Sequence, residues 1–193
     1  MRKILFGFAF LTHPVLIPFY SLLIYWPFLG KYDPLPLILF ATWILFVHII
    51  LPVFYLHSVK KVDLKEPSIN DRKSIYKGYT VLNMILSFVS LIVIKEYFAF
   101  LVSLALLNLF LYLLASVQLK ASWHTSSWAL LVVASLIEWY SFGFTFAPLY
   151  TLIIFLLAVG VFLTRWKQEA HTLFELTMGL ASGATAAAIL FFI

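Results

Sequence analysis

The sequence contains no cysteine and very few charged residues. The absence of cysteine excludes disulfides, thiolate metal sites and a cysteine nucleophile. Charged residues make up only 11% of the 193 residues, whereas a soluble domain of this size carries roughly 25%. The folded chain therefore cannot cover its surface with charge, which predicts that most of this surface faces lipid in an integral membrane protein.

Apolar and aromatic residues are abundant, at 64% and 19%, and they form long runs. Each run holds about 17–25 residues, enough to cross a hydrocarbon core of roughly 30 Å. The runs do not alternate polar and apolar residues as barrel strands would, so they predict helices. We therefore expect an all-α, polytopic transmembrane helical bundle of six or seven spans, forming one domain over residues 1–193. The runs cover 5–29, 35–57, 78–94, 97–118, 123–144, 146–164 and 171–193.

The first run follows Met1, Arg2 and Lys3 and resembles a signal peptide, but it lacks a clear cleavage site. We interpret it as a retained first helix that Pro14 and Pro18 kink. The net charge is +5, yet the basic residues lie in short segments between apolar runs. That placement is typical of topology signals or anion ligands, and it argues against a nucleic-acid partner.

The basic residues are distributed unequally between the two sides of the membrane. If every run crosses, the N-terminus and the polar segments 58–77, 118–124 and 164–171 share one side, which then carries 11 of the 13 Lys and Arg residues. The positive-inside rule favours the cytoplasm for that side, and we expect a bacterial-type inner membrane. The segment 58–77 is the only polar stretch long enough to form a structured loop.

Three polar clusters converge on this basic side. They consist of Lys65 with Arg72, Ser122 with His124, and Arg165 with His171 and Glu175. His171 and Glu175 are four residues apart and would share a helix face, so the carboxylate can accept one imidazole N–H and leave the other nitrogen as a nucleophile. The cations could neutralise phosphate oxygens, and His124 could protonate a leaving oxygen. Such a site needs neither a metal nor a cofactor.

This ordered set resembles the type 2 phosphatidic-acid phosphatase superfamily, the lipid phosphate phosphatases. The family pattern is Lys-x6-Arg-Pro, then Pro-Ser-Gly-His, then Ser-Arg-x5-His-x3-Asp. Here the motifs read KEPSINDRK from Lys65, ASWH from Ala121 and TRWKQEAHTLFE from Thr164, with matching spacing. The resemblance covers roughly residues 58–183, with weaker likeness in the early FLTHPVLIP stretch.

The resemblance implies hydrolysis of a lipid phosphate monoester or diphosphate at the membrane face, without metal. It implies that His171 attacks phosphorus to form a phosphohistidine, that His124 is the general acid, and that Glu175 orients His171. The phosphate ligands it implies are Lys65, Arg72, Ser122 and Arg165. The residues do not choose among phosphatidic acid, phosphatidylglycerophosphate and polyprenyl diphosphate, or between water and an alcohol as acceptor. Most relatives have an extracytoplasmic site, so the side of the membrane stays open.

The chain departs from the family pattern at residues that set shape. Lys73 and Ala121 stand in place of proline and Trp123 in place of glycine, while Thr164 and Glu175 are milder changes. Every position that bears charge or moves a proton is retained. The altered shape favours a different substrate preference and supports a second hypothesis, a non-catalytic member that binds a lipid headgroup or a partner protein.

Other polar residues carry less weight. Glu138 is an intramembrane carboxylate. It lies about 20 Å along the helix from His124, which is too far for Glu138 to belong to the site that contains His124. Gly179 and Gly183 form a small-xxx-small pair that predicts close helix packing. We assign three histidines to packing or to the membrane interface: His13, His48 and His57.

Overall fold

A computed structural model describes residues 2–22, 34–59, 61–62, 67–142 and 147–192. Across these ranges the chain is helical and forms no strand, which confirms the all-α prediction. The predicted phosphate ligand Lys65 lies outside the described residues. The principal helices are α1 (Arg2–Leu11), α2 (Pro34–Trp43), α3 (Ile69–Val93), α4 (Phe98–Ser116), α5 (Trp123–Phe142), α6 (Ala147–Lys167) and α7 (Leu173–Ala188).

The first apolar run is broken where its prolines predict a kink. Helix α1 ends at Leu11, a 3₁₀ turn spans Pro14–Leu16, and helix resumes over 17–22. Pro14 has no N–H to donate and disfavours helical backbone in the residue before it. His13 accordingly has extended backbone angles (φ −63°, ψ 137°), so the kink is confirmed.

Helix α2 continues without interruption through two π-helical stretches, Ile44–Ile50 and Tyr55–Val59, separated by the α-helical turn Leu51–Phe54. Pro52 lies at the start of that turn and cannot donate a hydrogen bond to the turn before it. The main-chain N–H of the preceding residue instead reaches five residues back. The wider turns thus keep the helix continuous across a proline.

Four helices in the described ranges are long and apolar enough to cross a membrane: Pro34–Ser58, Ile69–Val93, Lys95–Ser116 and Pro148–Lys167. Several long apolar helices are compatible with an integral membrane protein. Helices α5 and α7 are not among the four, since α5 begins with the polar stretch HTSS and α7 has only 16 residues.

The polar segment 58–77 is not a loop throughout, so that prediction is wrong for its second half. Helix α3 begins at Ile69, where Ser68 and Asp71 form a reciprocal capping box. The Asp71 N–H lies 3.2 Å from the Ser68 hydroxyl oxygen, and the Asp71 carboxylate lies 3.3 Å from the Ser68 N–H. Arg72 is therefore held on the first turn of a helix rather than on a loop.

Helix α5 packs most extensively against α7, and α3 against α4. Two glycines allow the α5–α7 approach. A Cβ on Gly179 would lie 2.7 Å from the carbonyl oxygen of Ser122, and a Cβ on Gly183 would collide with the carbonyl of Ser126. The close packing expected from this small-xxx-small pair is confirmed, and it brings the N-terminal turns of α5 and α7 together.

Candidate functional site

The start of α7 is organised by one carboxylate. Thr172 caps the helix, with its hydroxyl oxygen 3.2 Å from the Glu175 N–H, and its own N–H donates to Glu175 Oε2 at 3.0 Å. The same Oε2 lies 3.3 Å from Nδ1 of His171. Glu175 therefore has two roles: its carboxylate completes the capping box with Thr172 and also orients the imidazole of His171. Both are possible because His171 directly precedes Thr172 and lies beside the same helical turn.

His171 is held in its neutral form by its surroundings. Its side chain is only 3% exposed. Burial is the largest influence that lowers its pKa to about 4, and the positive charges of Arg72 and Arg165 lower it further, against the raising influence of Glu175. With the Nδ1 proton shared with the carboxylate, Nε2 carries the lone pair. His171 is thus suited to act as a neutral nucleophile at pH 7.

Ser122 ties the N-terminus of α5 to α7. It is fully buried, and its main-chain N–H donates to the carbonyl oxygen of Glu175 at 3.1 Å. Its hydroxyl oxygen lies 3.5 Å from the N–H of Thr125, whose own hydroxyl lies 3.2 Å from the carbonyl of Leu176. The two bonds to α7, from the Ser122 N–H and the Thr125 hydroxyl, hold the first turns of α5 and α7 in register.

His124 lies in the first turn of α5 and contacts the first apolar segment. The main-chain carbonyl of Ala9 interacts with its imidazole, and the ring of His13 lies 5.1 Å away at 81°. The charges of His171 and Arg165 also act on His124. The two histidines that the sequence pairs as nucleophile and acid are therefore electrostatic neighbours.

Arg165 supplies positive charge from the last turn of α6. Its Nη1 donates to Oε1 of Gln168 at 2.9 Å. Its charge acts on the imidazoles of His13, His124 and His171 alike. The positive charge of this one guanidinium therefore influences all three imidazole rings.

Arg72 supplies positive charge from α3. Its Nε donates to the carbonyl of Pro67 at 3.1 Å, and its guanidinium interacts with the hydroxyl of Tyr76. Its charge acts on His171. Two arginines from different helices therefore act on His171 with positive charge, which favours the binding of an anion such as phosphate.

The structure brings together six of the seven residues singled out from the sequence. Lys65 is the exception, since it lies outside the described residues. The six are Arg72, Ser122, His124, Arg165, His171 and Glu175.

His13 lies beside the same group, although the sequence predicts a packing or interfacial role for it. Its ring centroid lies 5.1 Å from that of His124 and 6.0 Å from that of Trp123. The only signal for it in the sequence is its place directly before Pro14, in the FLTHPVLIP stretch that weakly resembles the family.

Trp123, which stands where the family pattern has glycine, packs into an aromatic cluster. Its ring centroid lies 5.6 Å from Tyr76 and 5.3 Å from Tyr79, both on α3. The indole therefore packs α5 against α3 beside the histidines. A glycine at this position has no side chain that could make these contacts.

An apolar cavity of about 300 Å³ lies between the first apolar segment, α5 and α6. Two of its lining residues are close in sequence to the histidines, since Thr12 precedes His13 and Trp128 follows His124 by one helical turn. The indole N–H of Trp128 donates to the carbonyl of Thr12 at 2.9 Å. The lining includes Phe8, Thr12, Trp128, Leu131, Tyr150 and Ile154.

The site combines a buried neutral imidazole oriented by a carboxylate, a second imidazole nearby and two guanidinium groups. This set can bind an anion and attack it with a nitrogen lone pair. Within the described ranges, no group of three or more His, Cys, Asp or Glu side chains is arranged to hold a metal ion. Comparisons with protein-family models, with curated proteins and with solved structures found no match to this chain.

Proposed function

We propose that this protein is a membrane lipid phosphate phosphatase of the type 2 phosphatidic-acid phosphatase kind. Its substrate would be a lipid phosphate monoester or diphosphate in the surrounding bilayer. The observation that carries the proposal is the hydrogen bond from Nδ1 of buried His171 to Glu175, made within the electrostatic field of Arg72 and Arg165. A neutral imidazole under the electrostatic influence of two cations is an arrangement that favours phosphoryl transfer to nitrogen.

In the first step, Nε2 of His171 forms a bond to the terminal phosphorus as the bond from that phosphorus to the leaving oxygen breaks. His124 gives its proton to the departing oxygen, and the negative headgroup beside it stabilises the protonated imidazole beforehand. Arg72 and Arg165 offset the charge on the phosphoryl oxygens, with Ser122 and Lys65 as further ligands. The products are a phosphohistidine and the leaving lipid, which is the lipid alcohol from a monoester and the lipid monophosphate from a diphosphate.

In the second step, water attacks the phosphorus of the phosphohistidine. His124, now neutral, takes a proton from that water, and the nitrogen–phosphorus bond breaks. Inorganic phosphate leaves, and His171 and His124 return to their starting forms. Glu175 keeps the same imidazole nitrogen protonated through both steps.

The apolar cavity supports a lipid rather than a soluble phosphate ester. Its lining includes Thr12, which precedes His13, and Trp128, which follows His124 by one helical turn, so it offers an apolar surface for a lipid chain close in sequence to both histidines. Burying a hydrocarbon chain stabilises the complex by roughly 0.8 kcal/mol per methylene group.

We further infer that the bundle crosses the membrane six or seven times, in a bacterial-type inner membrane. The four long apolar helices supply four crossings, and the broken first segment, α5 and α7 supply the others. Polar residues in α5 are compatible with a crossing because Thr125, Ser126 and Ser127 are buried against neighbouring helices rather than exposed to lipid.

The test is phosphate release from detergent-solubilised protein, supplied with a panel of lipid phosphates in excess chelator. We expect release from the wild type that disappears in His171→Ala and persists in His57→Ala, an exposed histidine at the end of α2. Equal release from wild type and His171→Ala would overturn the proposal.

A second candidate function is a non-catalytic protein that binds a lipid headgroup or a partner. The aromatic cluster around Trp123 favours it, since an indole occupies the position of the glycine in the catalytic pattern. Binding of lipid phosphate without phosphate release from any lipid in the panel would support this second function.

A further inference from the structure

His13 is held rigidly although it lies where the first apolar segment leaves the helix. Its Nδ1 accepts the N–H of Val15 at 3.3 Å, which caps the 3₁₀ turn. The carbonyl of the preceding residue, Thr12, accepts the indole N–H of Trp128 at 2.9 Å, and the Thr12 hydroxyl donates to the carbonyl of Phe8 at 2.7 Å. The backbone at His13 is therefore fixed both to α1 and to α5.

The bond to Val15 selects one tautomer of His13. A nitrogen that accepts an N–H must present its lone pair, so the neutral ring carries its proton on Nε2. Nε2 lies across the ring from the capped turn. The segment thus presents a neutral N–H donor in a fixed position, at no further cost in side-chain entropy.

The ring of His13 packs against the start of α5. Its centroid lies 5.1 Å from that of His124 and 6.0 Å from that of Trp123, in edge-on arrangements with both. Arg165 acts electrostatically on both His13 and His171, so these two rings share one cation as a neighbour. An anion bound by Arg165 would therefore lie near both rings.

We propose that His13 is a ligand of the anion that this site binds, donating its Nε2–H to a phosphate oxygen beside His124. The identity of that anion as a lipid headgroup rests on the proposed function, while the phosphate-binding role can be tested without turnover. A neutral donor suits this position because a further cation next to His124 would repel the protonated form that a general acid needs.

Two amide variants separate this role from the capping role. His13→Asn keeps an oxygen near the position of Nδ1, so it retains the cap on Val15 but has no donor at the position of Nε2. His13→Gln places an amide N–H near the position of Nε2 and gives up the cap. The comparison therefore asks which ring nitrogen matters.

The measurement is calorimetric titration of detergent-solubilised wild type and both variants with inorganic phosphate. We expect His13→Asn to bind phosphate about 10-fold more weakly than wild type, the value of one hydrogen bond to a charged group, and His13→Gln to bind within about 3-fold of wild type. Any result in which His13→Gln binds no more tightly than His13→Asn overturns the proposal.

The two proposals fail in different ways. If phosphate binding follows the expected order but wild type releases phosphate from no lipid, the hydrolysis proposal fails and the ligand role of His13 stands. If wild type hydrolyses lipid phosphates and both variants bind inorganic phosphate as tightly as wild type, the hydrolysis proposal stands and His13 is only a cap.

Discussion

Nδ1 of His171 lies 3.3 Å from Oε2 of Glu175, and the same oxygen accepts the main-chain N–H of Thr172 at 3.0 Å. One carboxylate therefore holds both the start of α7 and the orientation of the imidazole. A substitution at Glu175 can separate these two roles, because the cap needs only an acceptor whereas the imidazole benefits from a charge.

Glu175→Gln should therefore lower the rate of phosphate release far more than it lowers stability. We expect a loss of at least about 100-fold in kcat, since the amide cannot stabilise a positive imidazole and can hold the wrong tautomer. The free energy of unfolding should change by no more than about 1 kcal/mol, because the amide oxygen can still cap α7. Steady-state kinetics and thermal unfolding in detergent measure the two quantities. An unchanged kcat would contradict the orienting role.

The pH profile should report the low pKa of His171. The neutral imidazole is the nucleophile, so kcat/KM should fall on acidification only as the pH approaches the pKa of about 4, rather than the ordinary value of 6.5. Arg72 is one cause of the lowering, so Arg72→Gln should move this acid limb to higher pH. Lys73→Gln removes the adjacent charge and serves as the control that should leave the limb in place. If both variants shifted the acid limb of kcat/KM by the same amount, the net charge of the protein rather than Arg72 in particular would determine the pH of that limb.

The α5–α7 contact should not tolerate a methyl group at Gly183. A Cβ there would collide with the carbonyl of Ser126, so Gly183→Ala should lower the free energy of unfolding by about 1–3 kcal/mol. Gly78→Ala is the matched control, since a Cβ at this exposed helical position meets nothing within 4 Å. The control should be neutral or stabilising by up to about 1 kcal/mol, because alanine favours helix over glycine. Thermal unfolding of both variants in the same detergent compares them directly, and equal stability would refute the tight contact.

The side of the membrane that carries the site can be read from the two ends of α3. Asn70 and Lys95 are exposed near opposite ends of this helix, and the chain contains no cysteine that would interfere. The excess of basic residues predicts that Asn70→Cys is protected from an impermeant thiol reagent in intact cells while Lys95→Cys is labelled. The reverse pattern would place the site outside the cytoplasm.

Much of the helical architecture follows from hydropathy alone, because backbone groups in lipid must be satisfied within helices or barrels. The exception is the start of α3. Hydropathy predicts a loop for the polar residues 69–77, yet the Ser68–Asp71 capping box begins a helix there. Hydropathy does not register a cap, since a cap depends on two polar side chains at a fixed spacing.

The candidate site could likewise be predicted only in part from the sequence. Spacing in the sequence placed His171 and Glu175 on one face and indicated the polar ends of α5 and α6, because helical periodicity relates residues that are near in the chain. The position of His13 beside His124, 111 residues away, depends on the break at Pro14 and on the Trp128–Thr12 bond. Local sequence therefore determined the helices and the chemical groups they carry. Only tertiary packing decided which of those groups share a site, since it depends on how closely distant helices approach.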